Sequence, residues 1–392
     1  MAGTKIMEQI YYVGMDDRTI DLFESQYKVP EGVSYNSYVI MDEKIAVMDT
    51  VDSRATDGWL ENVEEVLGGA SPDLLVISHM EPDHSGSIEA LVQKYPQMQL
   101  VGNAKTFTML EQFFALDLTG RKVIVREGES IPLGKRSLQF FMAPMVHWPE
   151  VMVAYEPVGK ILFSADGFGT FGALGQDKLR KAGGGDWAEE ARRYYFNIVG
   201  KYGAPVQTLL KKAAKLDIAA ICPLHGPVLT EDLGYHIGLY DTWSRYEAEE
   251  EGIVIAYASI HGHTAAAAKE LAQIFRTKGE DKVEVYDLCR CDMSQAVAAA
   301  FRYDKMVLAA ATYDGGLFPP MEDFLHHLKA KTYQKRRVGL VENATWAPMA
   351  AKVMQKLLEE MKDIRISEKI VTIRSALDPQ DRTRLEELAE SL

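Results

Sequence analysis

The chain has 392 residues, of which 47% are hydrophobic and 26% charged, with 57 acidic against 43 basic side chains and a formal charge of −14. At roughly 150 residues per domain this length predicts two or three domains, long enough for full-sized cores, and the balance excludes a disordered chain. The acidic surplus argues against a nucleic-acid binder, which needs a cationic footprint, and leaves basic partners or small neutral substrates open.

The start, MAGTKIMEQIYYVGMDD, is polar and lacks the apolar centre of a signal peptide. No apolar run approaches the roughly 20 residues of a membrane helix. The three cysteines, Cys222, Cys289 and Cys291, do not make a disulfide framework. The expectation is a reduced, cytoplasmic protein with no membrane and no nucleic acid as partner.

In chain order, runs 38–41 and 45–48 flank Asp-Glu-Lys and read as a hairpin. Over 55–68, Trp59, Leu60, Val63, Val66 and Leu67 fall on one face at a helical period. Apolar runs predict strands at 74–77, 122–125, 138–142, 151–155, 161–163 and 218–221. The segment 188–214 reads as a long helix or a broken pair, interrupted at Gly203-Ala204-Pro205. Strands with helices between them predict a mixed α/β sandwich. The acidic run 247–251 marks the expected boundary between a domain over 1–250 and one over 251–392. Beyond it strict alternation begins: strands at 253–258, 283–286, 306–310, 337–341 and 370–373, each followed by a helix, at 264–278, 293–301, 320–329, 347–361 and 378–391. Five such units predict an open, doubly wound parallel sheet.

Two constellations carry chemistry. Ser78-His79-Met80-Glu81-Pro82-Asp83-His84 follows the strand predicted at 74–77 and offers four ligands within six positions. His147, Asp166 and His225 each lie just beyond a predicted strand, at 138–142, 161–163 and 218–221. Strand ends are where sites are usually built. Together these are seven nitrogen and oxygen ligands, enough for two metal ions with one bridging carboxylate. The set resembles the His-x-[His/Glu]-x-Asp-His motif of the metallo-β-lactamase superfamily with its downstream His, Asp and His, over about residues 35–230. Glu81 stands where common hydrolases carry His. A harder, negative ligand favours a more highly charged, oxidised metal and makes iron a better match than zinc, although carboxylate–histidine sets also hold zinc.

The second constellation follows the strand predicted at 253–258. Ser259-Ile260-His261-Gly262-His263-Thr264 combines hydroxyls, a glycine turn and a helix start, an anion cradle. Two more loops, Thr312-Tyr313-Asp314-Gly315 and Asn343-Ala344-Thr345-Trp346-Ala347, follow strands of the same sheet. They supply small residues for close backbone approach, with Tyr313 and Trp346 to flank a planar ring. The switch-point rule puts a mononucleotide at these strand ends. The half resembles flavodoxin, whose S/T-x-T-G-x-T loop holds the FMN phosphate. Here the third residue is His261 and the fifth is His263, and an imidazole N–H can donate in place of the missing hydroxyl.

A metallo-β-lactamase-like half followed by a flavodoxin-like half resembles the flavodiiron proteins. The resemblance implies an α/β architecture: an N-terminal αββα sandwich with a diiron site, then a doubly wound five-stranded parallel sheet binding FMN. It implies two irons per chain, with His79, Glu81 and His147 on one, Asp83, His84 and His225 on the other, and Asp166 between them. It implies reduction of dioxygen to water, of nitric oxide to nitrous oxide, or both. Electrons would come from an external donor such as rubredoxin, since no Cys-x-x-Cys pair provides a fused one. The assembly implied is a head-to-tail homodimer or a dimer of such dimers. Tyr195, next to Tyr194 in Arg-Arg-Tyr-Tyr-Phe, resembles a family tyrosine beside the diiron pocket, and Trp148 would wall it. The competing readings are a dinuclear zinc hydrolase with a flavodoxin-like accessory domain and a flavin carrier whose front half is a scaffold.

Overall fold

Short runs of consecutive apolar residues dominate the first half, and strands that are buried on both faces need such runs. In a computed structural model, residues 3–175, 179–180 and 187–392 are described. They divide into two compact units, Met1–Tyr195 with Ala204–Asp241, and Phe196–Gly203 with Thr242–Leu392.

The first unit has two seven-stranded sheets. One runs Thr4–Met7, Ile10–Tyr12, Tyr38–Ile40, Ala46–Met48, Leu74–Val76, Gln99–Gly102 and Lys122–Ile124. The other runs Ser130–Pro132, Ser137–Met142, Met152–Glu156, Ile161–Phe163, Ala220–Cys222, Val228–Leu229 and Leu179–Arg180. Tyr38, Met48 and Val76 of the first sheet share a core with Phe140, Ala154 and Phe163 of the second. The strands Tyr38–Ile40, Ala46–Met48 and Leu74–Val76 are buried at every position, as helix-covered strands must be. The hairpin expected near 38–48 forms, with Tyr38 opposite Met48.

The helix expected over 55–68 spans Thr56–Leu67 and buries Trp59, Val63 and Leu67. Leu60 and Val66, expected on that face, are half-buried at its margins. Gly68 ends the helix at φ 57, its N–H returning to the Glu64 carbonyl, a conformation that favours glycine. The break expected at 203–205 comes earlier. Helix Trp187–Tyr194 loosens through the wide turn Tyr195–Val199 and the tight turn Gly200–Tyr202, and Gly203–Ala213 then starts anew. Pro205 lies in that helix's first turn, where a missing N–H breaks no hydrogen bond.

The second unit is built on five parallel strands in the order Val283–Asp287, Glu250–Ala258, Tyr303–Tyr313, Arg336–Asn343, Ile364–Ile373. In chain order this is 2-1-3-4-5, the doubly wound arrangement. Ala267, Ala268 and Leu271 of helix His263–Thr277 sit on Ile255, Val307 and Val341 of the sheet. All five expected strand–helix pairs are present, and several strands are longer than their apolar cores. The run expected at 370–373 begins at Ile364 because Arg336 and Arg337 still pair with Ile364 and Arg365 beyond the apolar core. The acidic run 247–251 leads directly into the first strand, where the Glu250 carboxylate pairs with Lys282 and Arg302. Among the described residues no helix is long and apolar enough to cross a membrane.

Candidate metal centre and flavin pocket

All seven predicted metal ligands leave the C-terminal ends of strands and converge in the first unit. His79 and Glu81 follow Leu74–Val76, and Asp83 and His84 belong to the single helical turn Pro82–Ser85. His147, Asp166 and His225 follow Ser137–Met142, Ile161–Phe163 and Ala220–Cys222. They form two groups, His79, Glu81, His147 and Asp166 in one, and Asp83, His84 and His225 in the other, with ligand atoms in each within 4.8 Å of one another. In the first, His147 Nε2 lies 3.0 Å from Glu81 Oε2 and 3.1 Å from Asp166 Oδ2. His79 Nε2 lies 3.3 and 3.4 Å from the same two oxygens. In the second, Asp83 Oδ2 is 3.2 Å from His225 Nε2 and 3.4 Å from His84 Nε2. Asp166 serves both: its Oδ2 faces the first group, and its Oδ1 is 3.3 Å from His84 Nε2.

The set fits a dinuclear metal site on its own chemistry. Both oxygens of Asp83 and of Asp166, together with His147 Nε2, are buried and make no hydrogen bond. Buried polar atoms left in that state are costly unless something occupies the point they face.

The imidazoles are held in register from behind. His79 Nδ1 is 2.8 Å from Glu150 Oε1, which also accepts from the Met80 N–H at 2.8 Å. A carboxylate only accepts, so Nδ1 carries a proton, and in the neutral imidazole that a metal would bind the Nε2 lone pair faces the cluster. His225 Nδ1 donates in the same way to the Ser34 carbonyl at 2.7 Å. Asp49 Oδ1 accepts from Ser78 N–H at 2.7 Å and anchors the start of the loop. Glu150, Ser34 and Asp49 were not apparent from the sequence. Glu150→Gln should weaken metal retention by roughly 10–100-fold, the usual cost of an outer partner, measured by chelator competition. Unchanged retention would mean that Glu150 does not orient His79.

Without metal the cluster is a lattice of ion pairs. Burial raises Glu81 and Asp166, but the surrounding histidines outweigh it and hold both carboxyls well below their ordinary range. Burial likewise lowers His147, yet Asp166 and Glu81 lift it to about 9. A metal ion must displace that proton. Metal uptake should therefore strengthen as pH rises from 6 to 9, as read by competition with a chelator of known affinity at each pH. A flat profile would contradict the pairing.

Tyr194 lies against the second group, its ring 5.5 Å from that of His225. Its hydroxyl is buried without a hydrogen bond, and burial, then the Asp166, Asp83 and Glu81 carboxylates, push its ionisation well up. The sequence reading puts Tyr195 here. Neighbouring helical residues point about 100° apart, and Tyr195 packs edge-on against Tyr240 at 5.0 Å instead. Gly169 makes room for the Tyr194 ring, since a Cβ there would come within 3.0 Å of it. Trp148 stands edge-on to His79 at 5.3 Å.

In the second unit the three predicted loops surround one cavity of about 500 Å³ at the C-terminal ends of the parallel strands, a size typical of cofactor sites. Ser259, His261, His263 and Thr264 line it from the first loop, Asp314 and Gly315 from the second, Asn343 to Ala347 from the third. Two predicted residues do not line it. Gly262, at φ 92, shapes the turn into the helix and donates its N–H to Ser259 Oγ at 3.1 Å. Tyr313 is 44% exposed and packs on Phe318. Thr312 Oγ1 accepts from Met349 and Ala350 N–H at 3.0 and 3.2 Å, so this hydroxyl also caps a helix. Ser375 completes the wall, its Oγ 2.8 Å from Thr345 Oγ1. The helix start, hydroxyls and glycine turn fit a phosphate, and Trp346, 77% exposed, offers a free aromatic face.

A lactamase-type sandwich bearing a carboxylate–imidazole cluster, joined to a doubly wound sheet with a cavity at its switch point, defines a lactamase–flavodoxin fusion. Residues 33–226 match the model of the ODP family beta lactamase, and 254–370 that of a flavodoxin domain. The chain is 27% identical to the nitric oxide reductase of Moorella thermoacetica, across 99% of this chain and 97% of that one. It superposes on rubredoxin oxygen:oxidoreductase from Desulfovibrio gigas with a TM-score of 0.92 and 25% identity, covering 99% and 97% of the two chains. Its fold also matches the flavodiiron protein from Giardia intestinalis, with a TM-score of 0.93 and 24% identity over 100% and 97%. The chain thus joins a lactamase-like domain to a flavodoxin domain, and it shares its fold with flavodiiron proteins along its whole length.

Proposed function

We propose that this protein reduces dioxygen to water, nitric oxide to nitrous oxide, or both, at a non-haem diiron site supplied with electrons through FMN. The observation that carries the reading is Asp166, whose two oxygens face two separate ligand groups, at 3.1 Å from His147 and 3.3 Å from His84. His79, Glu81 and His147 would hold one iron, Asp83, His84 and His225 the other, and Asp166 would bridge them. Two ferrous ions supply two electrons and a reduced FMN two more, matching the four that dioxygen needs and the two that a pair of NO molecules needs.

The chain's own residues do the rest. The loops at 259–264, 312–315 and 343–347 would hold FMN, and the start of helix His263–Thr277 would serve its phosphate. Trp148 shields the ligand cluster from water. The Tyr194 hydroxyl, with no protein acceptor, is free to donate a hydrogen bond to a diatomic substrate. Tyr194→Phe should slow turnover by roughly 2–10-fold, the worth of one neutral hydrogen bond, without lowering Tm, because no protein hydrogen bond is lost. Full activity in that variant would remove the role. Electrons would come from a small external donor such as rubredoxin. The requirement for a flavin close to the irons supports a head-to-tail homodimer or a dimer of dimers, and the three free cysteines support a reducing, cytoplasmic location.

Metal analysis joined to anaerobic O₂ and NO consumption with a reduced donor tests the reading. Two irons per chain with gas consumption are expected. Two zincs with esterase activity would favour the dinuclear hydrolase instead.

A further inference from the structure

The second unit contains another cavity, of about 560 Å³, at the opposite edge of its sheet. It lies where strands Arg336–Asn343 and Ile364–Ile373 begin, whereas the flavin cavity lies where they end. The length of Arg336–Asn343, roughly 23 Å at 3.3 Å per residue, separates the two. The walls are Lys335, Arg336, Arg337 and Arg365 with Asp304, Asp363 and Ile364. In a chain of net charge −14 this is an unusual concentration of cations.

Arg336 is the built part of the site. It is 2% exposed. Its Nη1 donates to the carbonyls of Tyr246 at 2.8 Å and Gln334 at 3.0 Å, and its Nη2 to that of Phe301, which fixes the guanidinium plane. Its Nε–H is buried and has no acceptor. Arg337 is neutralised by Asp304 at 2.7 Å. Among the described residues neither Arg336 nor Arg365 forms an ion pair, and the Lys335 ammonium reaches only the Arg245 carbonyl, at 2.9 Å. A desolvated guanidinium with no counter-charge is unfavourable, and an anion in the cavity removes the deficit. Guanidinium groups match tetrahedral oxyanions because their forked donors fit two oxygens at once.

We infer that this cavity binds a phosphate-class oxyanion, with three uncompensated cations suited to a diphosphate or longer chain rather than a single phosphate. Its occupant would not compete with FMN, since no residue is shared between the two cavities. Asp363 faces the same space and weakens the attraction.

The test is isothermal titration of the FMN-loaded full chain with inorganic pyrophosphate, so that the flavin phosphate site is already filled. Saturable one-to-one binding is expected. Arg365→Ala should weaken it roughly tenfold, the loss of one charged hydrogen-bonding partner, and Asp363→Ala should tighten it, with FMN content unchanged in both. Both residues are exposed, so neither substitution threatens the fold. No saturable heat, equal affinity in the Arg365 variant, or displacement by chloride at equal concentration would overturn the site.

Discussion

Replacing Asp166 by Asn should strip metal from both groups and abolish gas reduction while leaving FMN bound. The carboxylate is the one ligand with an oxygen toward each group, Oδ2 at 3.1 Å from His147 and Oδ1 at 3.3 Å from His84. It is 1% exposed, so water cannot substitute for a lost oxygen at low cost. The amide keeps the shape, removes the negative charge and turns an NH₂ toward one of the groups. Two metal dications then share three carboxylates' worth of charge less one, and one of them faces a donor where it needs a lone pair. The loss should exceed the roughly 10–100-fold that follows removal of an outer partner. Metal content by elemental analysis, FMN by its absorbance and gas consumption by electrode give three independent readouts. Unchanged turnover would refute a dinuclear mechanism. Retention of a single metal with partial turnover would refute the bridge but not the site.

The parts of this molecule that were legible in its sequence are those fixed by short-range rules. Four ligands within six positions after an apolar strand must lie near one another whatever the rest of the chain does, and three more ligands, each just past a strand, follow the habit of building sites at strand ends. The second unit was readable because each strand–helix alternation can be wound in few ways. What escaped depends on long-range contact or helical phase. Glu150 reaches His79 across 71 residues, and the Ser34 carbonyl that orients His225 has no side-chain signature at all. Choosing Tyr194 over Tyr195 needs the rotation of a helix that loosens at the very next residue. Strands such as Thr4–Met7 and Gln99–Gly102 have partly exposed or polar residues, so they lack the uniform apolar run that betrayed their neighbours. Ser375 lies two residues past the last strand, beside no glycine or aromatic that would mark a cofactor loop.

Ser259→Asp should produce the reciprocal phenotype, loss of FMN with metal retained. Ser259 lines the cavity at the head of the loop leading into helix His263–Thr277, and its Oγ accepts the Gly262 N–H at 3.1 Å. A carboxylate there would compete for the amide that, with the helix start, would otherwise serve a phosphate. It would also set like charge against like, which costs several kcal/mol at a recognition site, enough to lower FMN affinity at least about 100-fold. The neutral Ser259→Ala variant separates the two effects: it removes the hydroxyl without adding charge and should weaken FMN far less. Fluorescence titration of the FMN-depleted chain measures both variants. If Ser259→Asp holds FMN as tightly as the parent, the phosphate does not bind at this loop. If it loses FMN but still reduces gas with the external donor, electrons reach the metals without the flavin. Loss of FMN and of donor-driven turnover together, with two metals still bound, is the result that ties this cavity and the Asp166 cluster into one reaction.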